Sequence, residues 1–568
     1  MTDIIKTTAS MQTRDGVRLD ADIYRPNTKE DLPILLMRQP YGRAIASTVV
    51  YAHPHWYAER GYIVIVQDVR GRGTSQGKFD LFASEVDDGL DTINWVSQLA
   101  NSTGEIGMYG FSYQGMTQLY AAASQPKALK AIAPAMVAYD LYTDWAYENG
   151  AFCLYANLGW AIQLAAETAR RQGDELAFAK LYAASHNLPL SDSLTANPQI
   201  MRELAPDSFY HAWLHNSDPD AEYWKLRSPK YLLQNVDLPM LHVGGWYDPY
   251  LRGTLNLYRE MAQRSQHPQH LLVGAWAHLP WGRRLGAIDY GVAAQNPIDE
   301  IQIRWFDHFL KGKDTGLLEE PPVCLFEMGS NCWREFPRFP QKSQQVYYLA
   351  SDGLAGIRED SGMLWKYEPE LDNESLSVYE LSETELSEKI VEFENNTDII
   401  VGDPWRPIPA LGGHATFPGG SLERSSLDCR SDILTYTSAP LATELHVAGE
   451  ITLEIYAEAD KPSFDLCAVL SQVTPDGKVF NFTQGYVRCD RRSRRNIKEN
   501  LVTIPLQATC ICIPPEHSLR LSLSAACFPA YPVNSGKEIS LAETRLIDLE
   551  IITIAIKTGA NYSSLIKL

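Results

Sequence analysis

The chain has 568 residues, of which 45% are hydrophobic, and a formal net charge of −20 at pH 7. This length allows two or three domains, and the composition is ordinary for a soluble globular protein. The negative charge argues against nucleic acid and anionic membranes as partners. The one dense basic run, residues 491–495, is short enough to be a solvated loop.

The N-terminus lacks the basic start, apolar core and small-residue cleavage site of a secretory signal, and no run of about 18 apolar residues occurs. These features predict a cytoplasmic protein. Nine scattered cysteines argue against a disulfide framework in a reducing compartment. Cys510 and Cys512 alternate along a predicted strand without a second cysteine or histidine pair at zinc spacing, so we expect packed thiols and no metal.

A first buried strand is predicted at residues 32–37, and Tyr41 follows shortly after it. A tyrosine in that position can aim its hydroxyl at an oxyanion, although a lone tyrosine is more often a packing residue. A second strand at residues 61–68 leads into a glycine-rich loop at 69–77. No Lys-Ser/Thr helix start follows this loop, so we interpret it as a structural brace and not as a phosphate site.

Residues 110–115 (GFSYQG) place Ser112 between a short apolar strand, 105–109, and a helix that begins near Met116. Small neighbours suit a serine held in a strained turn, and the helix N-terminus directs N–H groups toward a developing oxyanion. An ordinary Gly/Ser turn is the alternative for this motif by itself. The general hydrolase elbow has glycine two places after serine, where this chain has Gln114.

Between about residues 139 and 236 helical runs with aromatic faces replace the strand pattern, including 154–172 and 175–185. This segment is predicted to be a helical cap that roofs the nucleophile and excludes water. Asp144 and Glu148 are four residues apart and would share one face of a helix. Such a pair could bind a cation, but a solvated acidic face is the commoner outcome.

Two later apolar runs each end in a chemically active side chain. Residues 238–248 end in Asp248, and residues 270–278 end in His278. Parallel sheets collect catalytic groups at strand ends, and the order serine, acid, histidine is that of the α/β-hydrolase triad. We therefore interpret Ser112 as the nucleophile, His278 as its general base and Asp248 as the residue that orients His278.

From about residue 320 the chain consists of short alternating apolar runs, such as 445–455 and 519–524, separated by turn signals. A period of two predicts a β-sandwich. The expected organisation is an α/β-hydrolase domain at 1–138 and 237–319, a helical cap at 139–236, and a β-sandwich domain at 320–568.

Over nearly its whole length the chain resembles the CocE/NonD-type α/β-hydrolase family, which includes cocaine esterase, X-prolyl dipeptidyl aminopeptidase and α-amino acid ester hydrolase. The motifs that carry this resemblance are Pro40-Tyr41 and residues 68–75 (DVRGRGTS), 110–115 (GFSYQG), 245–248 (GWYD), 276–278 (WAH), 304–312 (RWFDHFLKG) and 328–333 (MGSNCW).

The resemblance implies the same fold and the triad Ser112, Asp248 and His278. It also implies an oxyanion hole formed by the Tyr41 hydroxyl and the Tyr113 amide, a jelly-roll-like β domain at 320–568 that helps close the cleft, and no cofactor. Family members often form dimers or larger assemblies, so a homo-oligomer is an open expectation.

The expected activity is hydrolysis of small ester, amide or peptide substrates through an acyl-enzyme on Ser112. Relatives that act on free amines hold the ammonium with cap carboxylates, so Asp144 and Glu148 favour an X-Pro dipeptidyl-peptidase-like or amino acid ester hydrolase activity. The alternatives are an esterase for neutral acyl groups and, more remotely, a binding protein on a hydrolase scaffold.

Overall fold

The computed structural model describes residues 3–45, 48–340, 345–366, 394–490, 497–498 and 500–568. The basic run at 491–495 lies outside these residues. Among the described helices, none is both long enough and apolar enough to cross a membrane.

The N-terminal half is organised around one large, mostly parallel sheet. Its ten strands are β1 (Ile4–Gln12), β2 (Arg18–Pro26), β3 (Leu32–Gln39), β4 (Ile63–Asp68), β5 (Ser102–Phe111), β6 (Leu129–Ala135), β7 (Met240–Tyr247), β8 (Gln269–Ala277), β9 (Val323–Glu327) and β10 (Cys332–Phe336). They lie in the order β1-β2-β4-β3-β5-β6-β7-β8-β9-β10. The run from β4 to β9 is parallel, and the strands at both ends pair antiparallel.

The longer helices flank this sheet or form the cap. They are α1 (Pro54–Glu59), α2 (Glu85–Val96), α3 (Tyr113–Ala123), α4 (Leu154–Gln172), α5 (Glu175–His186), α6 (Gln199–Leu204), α7 (Phe209–His215), α8 (Leu251–Arg264) and α9 (Ile298–Lys311). α2 and α3 pack on one face of the sheet, and α1 and α9 pack on the other. Because both faces are covered, β4, β7 and β8 are buried at every position and have mostly apolar sequences.

The cap follows β6 and contains α4 to α7. α4 ends where Gly173 adopts φ 75°, a left-handed conformation that favours glycine, with Arg170 and Arg171 in its last turn next to the negative end of the helix dipole. The predicted cap helices at 154–172 and 175–185 therefore match α4 and α5 closely.

The C-terminal part is a β-sandwich, in which Ile552–Thr558 buries alternate residues while Ser518–Ser524 is buried at every position. The strands are β11 (Val346–Ala350), β12 (Met363–Lys366), β13 (Asn396–Gly402), β14 (Ile433–Ser438), β15 (Leu445–Ala459), β16 (Ser463–Val473), β17 (Val479–Asp490), β18 (Leu501–Ile513), β19 (Ser518–Ser524), β20 (Ile552–Thr558) and β21 (Leu565–Lys567). Neighbours in the sheet are antiparallel except for β12 and β14. The predicted combination of α/β-hydrolase, cap and β domain is confirmed.

The hydrolase sheet extends beyond the predicted domain boundary at residue 320. β9 and β10 lie after residue 320, in the part assigned to the β domain, but β9 pairs in parallel with β8 and extends the hydrolase sheet. The short alternating pattern of this hairpin is the same in either domain, so only strand pairing distinguishes them.

Candidate active site

Ser112 lies on a sharp turn between β5 and α3. Its backbone has φ 60° and ψ −127°, a strained conformation for a residue other than glycine, which is typical of a nucleophile elbow. A side chain on Gly110 would approach the Cβ of Gln114 to 2.5 Å, and one on Gly115 would approach the carbonyl oxygen of Ala135 to 2.7 Å. Both glycines are therefore required by the close contact between the turn, α3 and β6.

Asp248 and His278 follow β7 and β8, two adjacent parallel strands whose C-terminal ends lie at the same edge of the sheet. The Nδ1–H of His278 donates to Oδ1 of Asp248 across 2.8 Å. Asp248 is fully buried, whereas the His278 side chain is 30% exposed. The hydrogen bond holds the proton on Nδ1, so Nε2 is the nitrogen available to accept one.

Burial raises the pKa of the Asp248 carboxyl, and the hydrogen bond and charge of His278 oppose this effect. The hydrogen bond from His278 therefore favours the ionised form of the Asp248 carboxyl. This coupling is the electrostatic arrangement that a general base needs while it carries a proton.

Ser112 and His278 line the same cavity, which has a volume of about 550 Å³. Its wall is predominantly aromatic and aliphatic, and comes from the hydrolase, the cap and the β domain. The lining includes Tyr41, Ile45, Val49, Phe111, Trp145, Tyr155, Trp160, Tyr250, Leu279, His414 and Phe417. A cavity of this size and polarity suits a small organic substrate.

The two residues predicted to form an oxyanion hole, Tyr41 and Tyr113, lie close to Ser112 in the fold. Tyr41 interacts with the Ser112 hydroxyl, and burial raises the pKa of Tyr41 to about 12, so its hydroxyl stays protonated. Trp160 of α4 donates its indole N–H to the Tyr41 oxygen across 3.1 Å, which leaves the Tyr41 O–H free to donate elsewhere. Tyr113 is the first residue of α3, and its own hydroxyl donates to buried Glu85 across 2.7 Å. The Tyr113 hydroxyl is thus engaged away from Ser112, and its backbone N–H belongs to the first turn of α3, where N–H groups have no partner within the helix.

The glycine-rich loop supports the segment that carries Tyr41. Asp68 accepts the backbone N–H of Arg43 at 2.7 Å and that of Thr74 at 3.2 Å, and so ties the loop to the turn after β3. A side chain on Gly73 would lie within 2.1 Å of the Asp68 carboxyl carbon. The interpretation of this loop as a brace fits these contacts.

Asp144 and Glu148 do not share a helix face, contrary to the prediction. Asp144 lies in a five-residue π-helical turn, Tyr142–Ala146, and Glu148 lies in the two-residue strand that follows it. Neither residue lines the cavity. Asp144 instead accepts the backbone N–H groups of Tyr139 and Asp140, at 3.0 and 2.7 Å.

Glu148 is buried at the junction of the cap with the other two domains. Its Oε2 is 2.9 Å from Arg252 of α8, 3.0 Å from Nε2 of His414 and 2.5 Å from the hydroxyl of Tyr531, which donates to it. Burial alone would raise the pKa of Glu148, but the Arg252 and His414 charges outweigh it and lower this pKa to about 2. Glu148 therefore positions His414, whose ring lines the cavity.

The β domain also contacts the turn that carries Asp248. Gln507 on β18 donates through Nε2 to the carbonyl oxygens of Trp246 and Asp248, at 2.8 and 3.0 Å. Trp160, His414 and Gln507 were not identified from the sequence. No local motif marks them, because each reaches the site from a distant part of the chain.

The fold and this site define a serine hydrolase of the α/β-hydrolase class with a helical cap and a β-sandwich domain. Residues 15–280 match the model of the X-Pro dipeptidyl-peptidase (S15) family, and residues 315–567 match that of the X-Pro dipeptidyl-peptidase C-terminal non-catalytic domain. The chain belongs to this family of CocE/NonD-type serine hydrolases.

Among curated proteins, the chain is 29% identical to the cocaine esterase of Rhodococcus sp. (strain MB1 Bresler), over 97% of this chain and 96% of that one. Among solved structures it is similar to an aminopeptidase from a marine sediment Thaumarchaeota archaeon, with a TM-score of 0.79 and 21% identity over 100% of this chain and 96% of that one. It is also similar to an α-amino acid ester hydrolase, with a TM-score of 0.76 and 20% identity over the same shares. At these identities the structural matches support the fold.

Proposed function

We propose that the protein is an esterase that transfers neutral, aromatic or branched acyl groups to water through an acyl-enzyme on Ser112. The observation that carries this proposal is the cavity, which contains Ser112 and His278 and has no carboxylate among its described lining residues. Small uncharged esters, and not nucleic acid, are then the expected partners, as the net charge of −20 also favours.

In the proposed mechanism Nε2 of His278 takes the proton of the Ser112 hydroxyl as its oxygen attacks the ester carbonyl. Asp248 stabilises the resulting imidazolium through the 2.8 Å hydrogen bond to Nδ1. The imidazolium then protonates the leaving alcohol, and the same nitrogen activates the water that releases the acid.

The tetrahedral intermediate would place its oxyanion between the Tyr41 hydroxyl and the backbone N–H of Tyr113. Trp160 already occupies a lone pair of the Tyr41 oxygen, so the hydroxyl proton can point toward the oxyanion. Such preorganised donors stabilise the charge that develops in the transition state more than the neutral ester.

The acyl group would lie against aromatic walls from all three parts of the chain. Trp145 and Tyr250 pack together with ring centroids 4.2 Å apart, and the Tyr250 ring also contacts His278 at 5.0 Å. These surfaces favour apolar acyl groups by the area that they remove from water. Among the described lining residues a substrate ammonium would find no carboxylate, and Asp144 and Glu148 bind partners within the protein.

A direct test compares turnover of a phenylacetate ester with that of the matching phenylglycine ester, which differs by one amino group. We expect the phenylacetate ester to give an equal or higher kcat/KM, with Ser112→Ala as the blank for both. A tenfold or greater preference for the free amine, about 1.4 kcal/mol in the transition state, would overturn neutral acyl specificity and favour an aminopeptidase-like role. If neither ester were hydrolysed at a rate that depends on Ser112, the proposal that small esters are the substrates would be wrong.

A further inference from the structure

Three side chains of metal-binding type meet away from the active site, where the β domain contacts the edge of the hydrolase sheet. Glu444, His446 and Cys512, here called the junction cluster, hold their ligand atoms within 4.8 Å of one another. Glu444 immediately precedes β15, which contains His446, and Cys512 lies on β18. His446 and Cys512 are directly opposite in the antiparallel ladder, so rigid backbone holds them together.

The distances within the junction cluster are close to those of a tetrahedral site. Nε2 of His446 is 3.1 Å from Oε1 of Glu444, and Sγ of Cys512 is 3.9 Å from both Nε2 and the other carboxylate oxygen. Bond lengths of about 2.3 Å to sulfur and about 2.0 Å to nitrogen or oxygen place tetrahedral zinc ligands about 3.3–3.6 Å apart. Side-chain shifts of a few tenths of an ångström would therefore bring the three ligand atoms to the distances of a tetrahedral zinc site.

The imidazole of His446 is already oriented for a metal. Its Nδ1 is 2.8 Å from Oε1 of Glu327, the last residue of β9 and only 2% exposed, so it donates there and leaves Nε2 facing the other two ligands. Arg334 and the Ser330 hydroxyl in turn hold the Glu327 carboxylate. Metal-binding histidines commonly donate their second ring N–H to a carboxylate in this way.

The charge of the surroundings also suits a divalent cation. With Cys512 as thiolate, this residue, Glu444 and Glu327 each carry one negative charge, and Arg334 carries one positive charge. The remaining two negative charges match one divalent ion. Thiolate with imidazole and one carboxylate favours Zn²⁺ over Mg²⁺ or Ca²⁺, which prefer oxygen ligands alone.

The junction cluster lies where the two domains are in backbone contact. The N–H of Met328 donates to the carbonyl of Cys510 at 2.9 Å, and the N–H of Cys512 donates to the carbonyl of Met328 at 2.8 Å. A side chain on Gly329 would approach the Cys512 oxygen to 2.0 Å, so this junction requires glycine. A metal held by the β domain and supported by Glu327 would stabilise this contact.

We infer that Glu444, His446 and Cys512 bind one Zn²⁺ ion, with water in the fourth position, and that the ion fastens the β domain to the hydrolase sheet. On binding, the Cys512 thiol releases its proton to solvent and the thiolate sulfur donates an electron pair to the metal. Glu444 and His446 are exposed, so the ion and its water can enter from solvent.

Co²⁺ binding to the full chain, dialysed first against a chelator, tests this inference. One equivalent is expected to produce thiolate-to-Co²⁺ charge-transfer absorption that Zn²⁺ abolishes by displacement. At 100 times its Kd, Zn²⁺ is expected to raise the Tm by about 2 °C or more.

The variants separate the proposed ligands from other metal-binding groups. Cys512→Ser and His446→Gln are each expected to abolish the absorption and the Zn²⁺-dependent Tm shift. Glu327→Gln is expected to keep the absorption and to weaken affinity about 10- to 100-fold. Cys429→Ser removes an exposed thiol outside the junction cluster and serves as the matched control.

Lack of thiolate absorption in the wild type would overturn the inference, as would its persistence in Cys512→Ser. Unchanged absorption in His446→Gln would overturn the proposed ligand set. If Cys512→Ser fails to fold, His446→Gln still tests the inference, because this variant retains the Cys512 thiol.

Discussion

The indole N–H of Trp160 donates to the hydroxyl oxygen of Tyr41 across 3.1 Å, although 119 residues separate the two in sequence. This contact joins the cap to the turn after β3. It fixes the tyrosine oxygen beside Ser112 and directs the only hydroxyl proton away from the indole. The cap therefore contributes to the proposed oxyanion hole as well as to the wall of the cavity.

Tyr41→Phe removes the proposed hydroxyl donor and keeps the ring. Loss of one oxyanion donor is expected to lower kcat about 10²- to 10³-fold with little change in KM, because the donor acts mainly in the transition state. Steady-state kinetics on the phenylacetate ester measures this effect. Trp160→Phe leaves the Tyr41 hydroxyl in place and is expected to reduce kcat less. A Tyr41→Phe enzyme with wild-type kcat would exclude the hydroxyl from the reaction.

Asp248→Asn keeps the shape of the acid and removes its charge. The amide can hold His278 in the wrong tautomer, so we expect kcat to fall about 10⁴-fold while the protein stays folded. The measurement is a stopped assay of ester hydrolysis with enough enzyme to detect this residual rate. Asp207→Asn, an exposed carboxylate that pairs with Lys78, is the charge-matched control and should leave kcat unchanged. Similar rates for the two variants would contradict the triad.

Gly115→Ala tests the packing behind the elbow. The new methyl group would meet the carbonyl oxygen of Ala135 at 2.7 Å, so the free energy of unfolding is expected to fall by about 1–3 kcal/mol. Urea denaturation measures the change. Gly159→Ala is the matched control, since it also lies within a helix but meets its nearest neighbour at 3.8 Å. It should be neutral or stabilising by up to about 1 kcal/mol, and equal losses in both variants would contradict the packing argument.

Glu148→Gln is expected to destabilise the protein by about 3 kcal/mol at neutral pH, because Arg252, whose side chain is only 23% exposed, would lose its charged partner. The folded pKa of Glu148, about 2, lies below the usual value of 4.5. The stability that ionised Glu148 contributes to the folded protein is therefore complete above about pH 4.5 and is lost as the pH falls toward 2. The difference in Tm between wild type and variant should narrow as the pH falls from about 4.5 toward 2.

Glu450→Gln breaks a more exposed ion pair with Arg259 and serves as the control for Glu148→Gln. Its effect on the free energy of unfolding should stay within about 0.5 kcal/mol. If the Tm difference for Glu148→Gln did not change with pH, the charge of Glu148 would not be the source of its stabilisation.

Features encoded within a short stretch of chain could be predicted from sequence. The elbow around Ser112 is a continuous strand, turn and helix, and Asp248 and His278 each end an apolar run. The cap helices α4 and α5 were predicted nearly to their ends because their apolar spacing persists over several turns.

Features set by pairing between distant segments could not be predicted in this way. The hydrophobic pattern of β9 does not reveal that this strand pairs with β8. The four-residue spacing of Asp144 and Glu148 does not reveal that a π-helical turn, and not an α-helix, lies between them. Likewise, the absence of zinc spacing in the sequence did not exclude a cluster that the register of β15 and β18 brings together.

The contact between Gln507 and the Asp248 turn crosses 259 positions of sequence. A ribosome adds residues from the N-terminus onward, so Ser112, Asp248 and His278 leave it long before Gln507 is synthesised. The turn that carries the acid lacks this support until the β domain emerges. The growing chain is thus expected to acquire full hydrolytic activity only near the end of translation.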